Sequence, residues 1–199
     1  MKKKFGNLTI TYENDRFIDE VLINGEYGFL DYYPIVIDIG AHIGTFSFSM
    51  LDKADIIYAI EPVEENMNCL RQTIEDNNIK KIIPIQMAIS YGSWVQKMQL
   101  DINGGGGSKL TESGDYPVDC RTLKDFMDSQ KIEYADLIKM DVEGYEGKIL
   151  NTPFFPKDRI GTIIGEFHVG VPEDVQGLLE YMGFKYINLP NRKFIARKK

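Results

Sequence analysis

Apolar residues recur with two different periods in this sequence, and these periods predict that strands alternate with helices. Residues 35–37 form a β-branched run soon followed by Gly40, which is typical of a buried parallel strand. Residues 64–77 place apolar side chains at helical spacing instead. Similar runs predict further strands over residues 56–60, 82–89, 94–102, 116–120, 137–140, 162–167, 185–189 and 193–196, and helices over 43–51, 122–130, 143–150 and 172–182. This order predicts an α/β fold with a mostly parallel sheet, closed by a hairpin-like pair.

The length of 199 residues predicts one domain, with residues 34–199 as its core. The segment over residues 1–33 is expected to cap this core, with an exposed strand over 8–12 and a short helix over 15–23. The lysines at positions 2–4 are expected to be a solvated terminus.

The first predicted strand begins a strand–turn–helix–strand unit that is typical of nucleotide binding. Asp38 and Gly40 follow the first strand, Gly44 opens the helix, and Glu61 and Pro62 close the second strand. In such units the ligand lies across the carboxyl ends of the strands, and the acid after the second strand binds a ribose. The glycine pattern lacks the close-approach glycine of a dinucleotide fingerprint. It therefore suits a nucleoside without a pyrophosphate and with a positive charge, such as S-adenosylmethionine.

Composition narrows the class of protein. The net charge is −7, which disfavours binding of a nucleic-acid backbone over a broad surface. Cys69 and Cys120 have no metal-ligand spacing and are expected to be free buried thiols of a reducing compartment. No stretch reaches the ~18 apolar residues of a membrane helix, and no apolar segment of a signal peptide follows the first lysines. We therefore expect a cytoplasmic protein that binds no membrane, and the sequence leaves its oligomeric state open.

Polar residues at the ends of the later strands predict a second part of the site. Asp141 ends a strand expected beside the first one, Glu143 follows it, and Glu166 and His168 end the next strand. His168 could act as a base, and the surrounding carboxylates would raise its pKa. The same carboxylates could instead hold a divalent cation, although we expect no metal. The glycines of residues 104–108 are either a plain loop or a mobile flap.

Three blocks together resemble a known family. They are VIDIGAHIGTFS over residues 36–47, AIEPVEEN over 59–66 and DLIKMDVEGYE over 136–146. These resemble the FkbM-type S-adenosylmethionine-dependent methyltransferases over about residues 34–170. The resemblance implies a Rossmann-like class I methyltransferase fold, whose seven strands lie in the order 3-2-1-4-5-7-6 with strand 7 antiparallel. His42 departs from the asparagine that is common in the family.

The resemblance also implies O-methylation of a hydroxyl on a sugar or another small metabolite. The residues predicted to bind S-adenosylmethionine are Asp38, Gly40, Gly44, Glu61, Pro62, Ala88 and Asp141. The residues predicted to act on the acceptor are His168 as base, with Asp141 and Glu143 orienting acceptor or cofactor. A nicotinamide-dependent oxidoreductase and a non-catalytic nucleoside-binding module remain alternatives, because a fold alone does not fix a function.

Overall fold

The computed structural model describes residues 1–13, 30–101, 107–166, 168 and 175–199. The predicted helix over residues 15–23 lies outside these ranges. Residues 104–106 of the glycine loop and the first residues of the helix predicted over 172–182 also lie outside them.

The described residues contain thirteen strands. In chain order they are β1 (Lys2–Phe5), β2 (Leu8–Thr11), β3 (Ile35–Ile39), β4 (Ile56–Ile60), β5 (Ile82–Ile85), β6 (Ala88–Ile89), β7 (Val95–Gln99), β8 (Lys109–Leu110), β9 (Tyr116–Arg121), β10 (Ala135–Met140), β11 (Ile160–Glu166), β12 (Phe184–Asn188) and β13 (Lys193–Lys198). Five α-helices accompany them, α1 (Thr45–Ser49), α2 (Glu64–Asp76), α3 (Leu123–Ser129), α4 (Glu146–Leu150) and α5 (Val175–Tyr181), together with a short 3-10 helix over Lys157–Arg159.

The central sheet has seven strands in the order β5-β4-β3-β10-β11-β13-β12. β13 is antiparallel to both of its neighbours, and the other neighbouring strands are parallel. If only these seven strands are numbered, in chain order, their order across the sheet is 3-2-1-4-5-7-6. The labels β1 to β13 differ from these numbers because they also include the strands outside this sheet. The carboxyl ends of β3, β4, β10 and β11 therefore meet at one edge.

Helices cover both faces of this sheet, as the alternating side chains of β3 require. Ile37 packs into a cluster with residues of α3, α4 and α5, whereas Val36 packs into a separate cluster with residues of α1 and α2. Thr122 caps α3, because its Oγ1 accepts a hydrogen bond from the backbone N of Asp125 at 3.1 Å.

Two predicted elements differ from the structure. The strand predicted over residues 82–89 is divided, because β5 joins the central sheet and β6 pairs with β9 in a separate small sheet of order β6-β9-β7-β8. Pro84 lies in β5, which is an edge strand, the position where a missing backbone N–H is tolerated. The helix predicted from residue 143 begins only at Glu146, because Glu143 and Gly144 have φ angles of 53° and 95°.

The lysines at positions 2–4 lie in β1, which pairs with β2, and Lys2 and Lys4 are exposed there. This hairpin contacts α2, since Asn77 Oδ1 accepts a hydrogen bond from the backbone N of Thr9 at 2.8 Å. In the described part of the chain, no helix is both long and apolar enough to cross a membrane.

Candidate active site

A cavity of about 410 Å³ lies at the edge where the strands β3, β4, β10 and β11 end. Its volume is within the usual range for small-molecule sites, ~300–1,000 Å³. Seven of the predicted site residues line it: Gly40, Glu61, Pro62, Ala88, Asp141, Glu143 and His168. The other two predicted site residues, Asp38 and Gly44, do not line the cavity.

Gly40 allows the turns after β3 and β10 to approach each other. Its φ is 76°, and an added Cβ would lie 1.8 Å from the backbone oxygen of Asp141. Gly44 has a φ of 91° and precedes α1, and its added Cβ would lie 2.5 Å from the side chain of Leu70. Gly40 therefore shapes the cavity, whereas Gly44 packs α1 against α2.

Asp38 is fully buried behind the cavity. Its Oδ2 accepts a hydrogen bond from Ser47 at 2.7 Å, and its Oδ1 lies 3.4 Å from Lys139 Nζ in an ion pair. Lys139 also donates to the backbone oxygen of Gly40 at 2.8 Å and lies 3.4 Å from Asp141 Oδ2. Burial raises the pKa of Asp38, and the charge of Lys139 and the hydrogen bond from Ser47 oppose this. Asp38 thus supports the turn at Gly40 through Lys139.

Glu61 lines the cavity with its carboxylate held by neighbouring donors. Its Oε2 accepts from the backbone N of His42 at 2.9 Å, and its Oε1 accepts from Val63 N at 3.0 Å and Asn66 Nδ2 at 3.2 Å. Burial raises the pKa of Glu61, and these hydrogen bonds lower it in part. A carboxylate fixed in this way at the end of the second strand is suited to accept hydrogen bonds from a ribose.

The lining of the cavity also includes the apolar side chains of Phe46, Met87 and Ile89. An apolar slot next to a fixed carboxylate suits an adenosine, because the base needs an apolar surface and the ribose needs an acceptor. The acidic groups Asp141 and Glu143, which also line the cavity, suit positive charge. The donor set therefore fits S-adenosylmethionine.

His168 lines the cavity and lies among carboxylates. Its Nδ1 is 3.0 Å from Glu146 Oε1, and its Nε2 is 3.5 Å from both Asp141 Oδ1 and Glu143 Oε2. A carboxylate oxygen can only accept, so the bond to Glu146 assigns the proton to Nδ1 and leaves Nε2 toward the other two acids. Glu166 lines the same cavity, as expected from its position two residues before His168.

Glu146 belongs to the site although its spacing in the sequence does not indicate this. Its spacing from Glu143 is typical of a solvated helix start, but its side chain is fully buried. It begins α4, and its Oε1 also accepts a hydrogen bond from the backbone N of Val142 at 3.1 Å. Its buried position makes it the residue that orients His168.

The pKa of His168 is raised from 6.5 to about 9. Burial alone would lower it, but the hydrogen bond to Glu146 and the negative charges of Glu143 and Asp141 outweigh burial. Burial raises the pKa values of Glu143 and Glu166, and the charge of His168 opposes this in both. The rise at His168 was expected from the sequence.

Other lining residues carry roles that the sequence did not indicate. His42 has its pKa lowered to about 4, first by burial and then by the charge of Lys139, so it is neutral near pH 7. Arg192 reaches the rim, with its guanidinium 3.5 Å from Glu166 Oε1. The sequence carries a signal that could have identified Lys139 as part of the site, because this charged residue lies within the apolar run of β10.

Asp141, Glu143 and His168 could also bind a metal ion together. Each offers one ligand atom, and these atoms all lie within 4.8 Å of one another. Oxygen-rich sets of this kind suit hard divalent cations.

Two solved structures show the same fold at low sequence identity. The methyltransferase FkbM from Methylobacillus flagellatus KT is 16% identical with a TM-score of 0.59, over 85% of this chain and 45% of that one. M. jannaschii TYW2, solved in complex with AdoMet, is 15% identical with a TM-score of 0.52, over 99% of this chain and 84% of that one.

Sequence comparison gives a more specific result. The hexuronic acid methyltransferase AglP of Haloferax volcanii is 26% identical over 144 residues, which are 71% of this chain and 59% of that protein. This chain therefore spans less than two thirds of the length of that relative. Residues 38–186 match the methyltransferase FkbM domain. Since this match extends over well more than half of the sequence, the chain belongs to the FkbM methyltransferase family.

Proposed function

We propose that this protein transfers a methyl group from S-adenosylmethionine to a hydroxyl group of a sugar or another small metabolite. One observation carries the proposal: a single cavity is lined by the fixed carboxylate of Glu61 and by a histidine that Glu146 orients. The first suits a ribose, and the second suits the removal of a proton from an acceptor. The hexuronic acid methyltransferase among the relatives supports a sugar as the acceptor.

S-adenosylmethionine, when bound, supplies an electrophilic methyl group. The chain has to align the acceptor oxygen with it and remove the hydroxyl proton. Nε2 of His168 accepts this proton, because Nδ1 is held by Glu146. Asp141 and Glu143 flank Nε2 at 3.5 Å and orient the acceptor hydroxyl or the positively charged end of the cofactor.

The raised pKa of His168 affects how this base works. At a pKa of about 9 the imidazole is mostly protonated near pH 7, so only a minor fraction of the free protein is competent as a base. Positive charge bound beside Asp141 and Glu143 offsets their negative charge and lowers the pKa of His168. Cofactor binding is therefore expected to increase the competent fraction.

The proposal takes a hydroxyl, not a carboxylate, as the methylated group. Asp141, Glu143 and Glu166 would repel an acceptor carboxylate, whereas Lys139, Arg192 and the protonated His168, which also line the cavity, would attract one, so the product has to distinguish the two groups. The two products differ chemically, since mild alkali cleaves a methyl ester and leaves a methyl ether intact.

A second arrangement is supported by the convergence of Asp141, Glu143 and His168. A divalent cation held by these three groups would lower the pKa of the acceptor hydroxyl directly, and His168 would then be a ligand instead of a base. We favour the metal-free arrangement, because the hydrogen bond that His168 Nδ1 donates to Glu146 orients the ring, and Nε2 faces the cavity as the proton acceptor.

Ligand binding distinguishes this function from the other classes considered. Thermal unfolding should be compared in parallel with S-adenosylhomocysteine, S-adenosylmethionine and NAD. A ligand at ~100 times its dissociation constant stabilises by ~2.7 kcal/mol, which is a shift of several degrees. We expect stabilisation by the two adenosyl-sulfur ligands. Stabilisation by NAD alone would support an oxidoreductase and overturn the proposal.

Transfer itself is then measured with S-adenosylmethionine labelled in the methyl group, using neutral hexoses and hexuronic acids as acceptors. We expect an alkali-stable labelled sugar. An alkali-labile product would move the reaction to a carboxylate, and cofactor binding without transfer to any acceptor would favour a non-catalytic module.

A further inference from the structure

An aromatic cluster lies on the surface next to the active-site cavity. The rings of Tyr91 and Trp94 are edge-to-face with centroids 5.3 Å apart, and those of Tyr91 and Tyr145 are stacked with centroids 6.3 Å apart. Tyr91 is 40% exposed and Trp94 is 50% exposed. Single exposed apolar residues are common on proteins, but rings grouped around one cleft indicate a binding surface.

The backbone holds this cluster in place. An added Cβ on Gly92 would lie 1.6 Å from the indole of Trp94, so the ring rests on a position that only glycine leaves open. The backbone oxygen of Trp94 accepts a hydrogen bond from Cys120 N at 3.2 Å, which ties it to β9. Ser93 Oγ accepts from the backbone N of Thr122 at 3.0 Å and so fixes the same segment to the start of α3. The rings are therefore preorganised.

The cleft beside these rings measures about 570 Å³ and is lined by hydrogen-bonding groups as well as aromatic ones. Gln96 and Thr111 contribute an amide and a hydroxyl, and Lys97, Lys148 and Glu112 contribute two ammonium groups and one carboxylate. The ammonium of Lys148 lies 4.3 Å from the centroid of the Tyr145 ring.

The cleft adjoins the active-site cavity. Leu110 lines both of them. Tyr145, which contributes to the cleft, is adjacent in sequence to Glu146, the residue that orients His168. A ligand longer than one unit could therefore contact both places at once.

We propose that this cleft binds a saccharide, as a sugar unit of the acceptor next to the one that is methylated. The negative faces of aromatic rings attract the positively polarised C–H groups on one side of a pyranose, and the surrounding polar side chains can bind its hydroxyls. Two ammonium groups against one carboxylate favour an acidic saccharide. The link to the acceptor rests on the proposed function, but saccharide binding to the cleft does not.

The test uses Trp94, which is the single tryptophan of the sequence, so tryptophan fluorescence reports on the cleft directly. The protein is titrated with a tetrasaccharide that contains glucuronic acid, with free glucuronic acid, and with a single-stranded oligonucleotide. We expect a saturable change with the tetrasaccharide at a concentration roughly tenfold lower than with the monosaccharide. No saturable change with the tetrasaccharide, or a response to the oligonucleotide alone, would overturn the proposal.

Variants locate the binding. Tyr91→Ala should weaken tetrasaccharide binding about tenfold, and Gly92→Ala should weaken it by displacing the indole while keeping every ring. Tyr181→Ala removes a ring that is 86% exposed on α5 and should leave binding unchanged. Equal affinity in Tyr91→Ala and the parent, with both folded, would also overturn the proposal.

Measuring S-adenosylhomocysteine binding in the same variants separates this proposal from the proposed function. The cleft variants should keep that affinity and raise the KM of the tetrasaccharide without changing kcat on the monosaccharide. Saccharide binding without binding of S-adenosylhomocysteine would count against the methyltransferase function and would still support the cleft as a saccharide-binding site. Methyl transfer to the tetrasaccharide that is indifferent to the cleft variants would leave the methyltransferase function supported and would overturn the cleft as a binding site for the acceptor.

Discussion

The Oε1 atom of Glu146 lies 3.0 Å from the Nδ1 atom of His168, although 22 residues separate the two in sequence. Glu146 is fully buried at the start of α4, and His168 lies just past the end of β11. The parallel pairing of β10 with β11 brings these two segments to the same edge of the sheet. This contact holds the proton on Nδ1 and, together with the charges of Glu143 and Asp141, raises the pKa of His168.

The first prediction concerns the pH dependence that this contact imposes. In the metal-free arrangement, kcat/KM should rise with pH by about tenfold per unit below the pKa of His168 and level off above it. Glu146→Gln keeps an acceptor oxygen near Nδ1 but removes one negative charge, so it lowers that pKa from about 9 and moves the profile to lower pH. The measurement is kcat/KM between pH 6 and 10.

The control for this experiment is Glu180→Gln, which removes a charge from the exposed side of α5. Its profile should match that of the parent protein. A Glu146→Gln profile that coincides with the parent's, or that moves to higher pH, would contradict the role of this pair.

The second prediction separates the two buried acids at the start of the cofactor region. Glu61→Ala should weaken S-adenosylhomocysteine binding tenfold or more, because the loss of a hydrogen bond to a charged group costs ~1.5–3 kcal/mol. Asp38→Ala should also weaken it, but through Lys139, which loses one of its two ion-pair partners and holds the backbone of Gly40. Calorimetry measures both affinities.

Glu64→Ala is the matched control, since it removes an exposed acid from the first turn of α2, three residues after Glu61. Its affinity should be unchanged. If both Glu61→Ala and Asp38→Ala fold and bind as the parent does, the cofactor site assigned to this edge of the sheet is wrong.

The third prediction tests the close approach at Gly40. Gly40→Ala places a Cβ 1.8 Å from the backbone oxygen of Asp141 and also strains a residue with φ of 76°. Gly6→Ala is a matched control, because Gly6 has φ of 54° but no atom within 4 Å of its added Cβ. Strain alone costs ~1–3 kcal/mol, so Gly6→Ala should lower Tm by several degrees and Gly40→Ala by clearly more. Equal losses in thermal unfolding would show that the approach of the two turns is unimportant.

The sequence predicted the parts of this protein that depend on local signals. The strand at β3, the turn at Gly40 and the helix α2 are each specified by apolar runs, glycines or helical spacing within a few residues of one another. Glu61 and Asp141 could be placed in the cavity because they directly follow such strands.

The parts that the sequence did not predict depend on contacts between distant segments. The hydrogen bond from Lys139 Nζ to the backbone oxygen of Gly40 joins residues 99 positions apart. Glu146 has the same spacing from Glu143 as a solvated pair would, and only the packing of α4 buries it. The division of residues 82–89 between two sheets likewise depends on β9, which pairs with β6.

The last prediction decides between the two arrangements at His168. In the metal-free arrangement, His168→Ala should lower kcat by roughly 10²–10⁴ while S-adenosylhomocysteine still binds. Treatment with a chelator, followed by removal of the chelator, should leave kcat of the parent unchanged. In the metal arrangement the chelator abolishes activity and magnesium restores it, because the cation and not the imidazole lowers the pKa of the acceptor hydroxyl.

Asp141 and Glu143 allow a further test of the two arrangements, since each lies 3.5 Å from Nε2 of His168 and would be a ligand of the metal. Glu143→Gln keeps a polar group beside Nε2 but is a poorer ligand for a hard cation. In the metal-free arrangement its kcat should respond little to added magnesium. If high magnesium rescues Glu143→Gln, or if His168→Ala keeps its turnover, His168 is not the base.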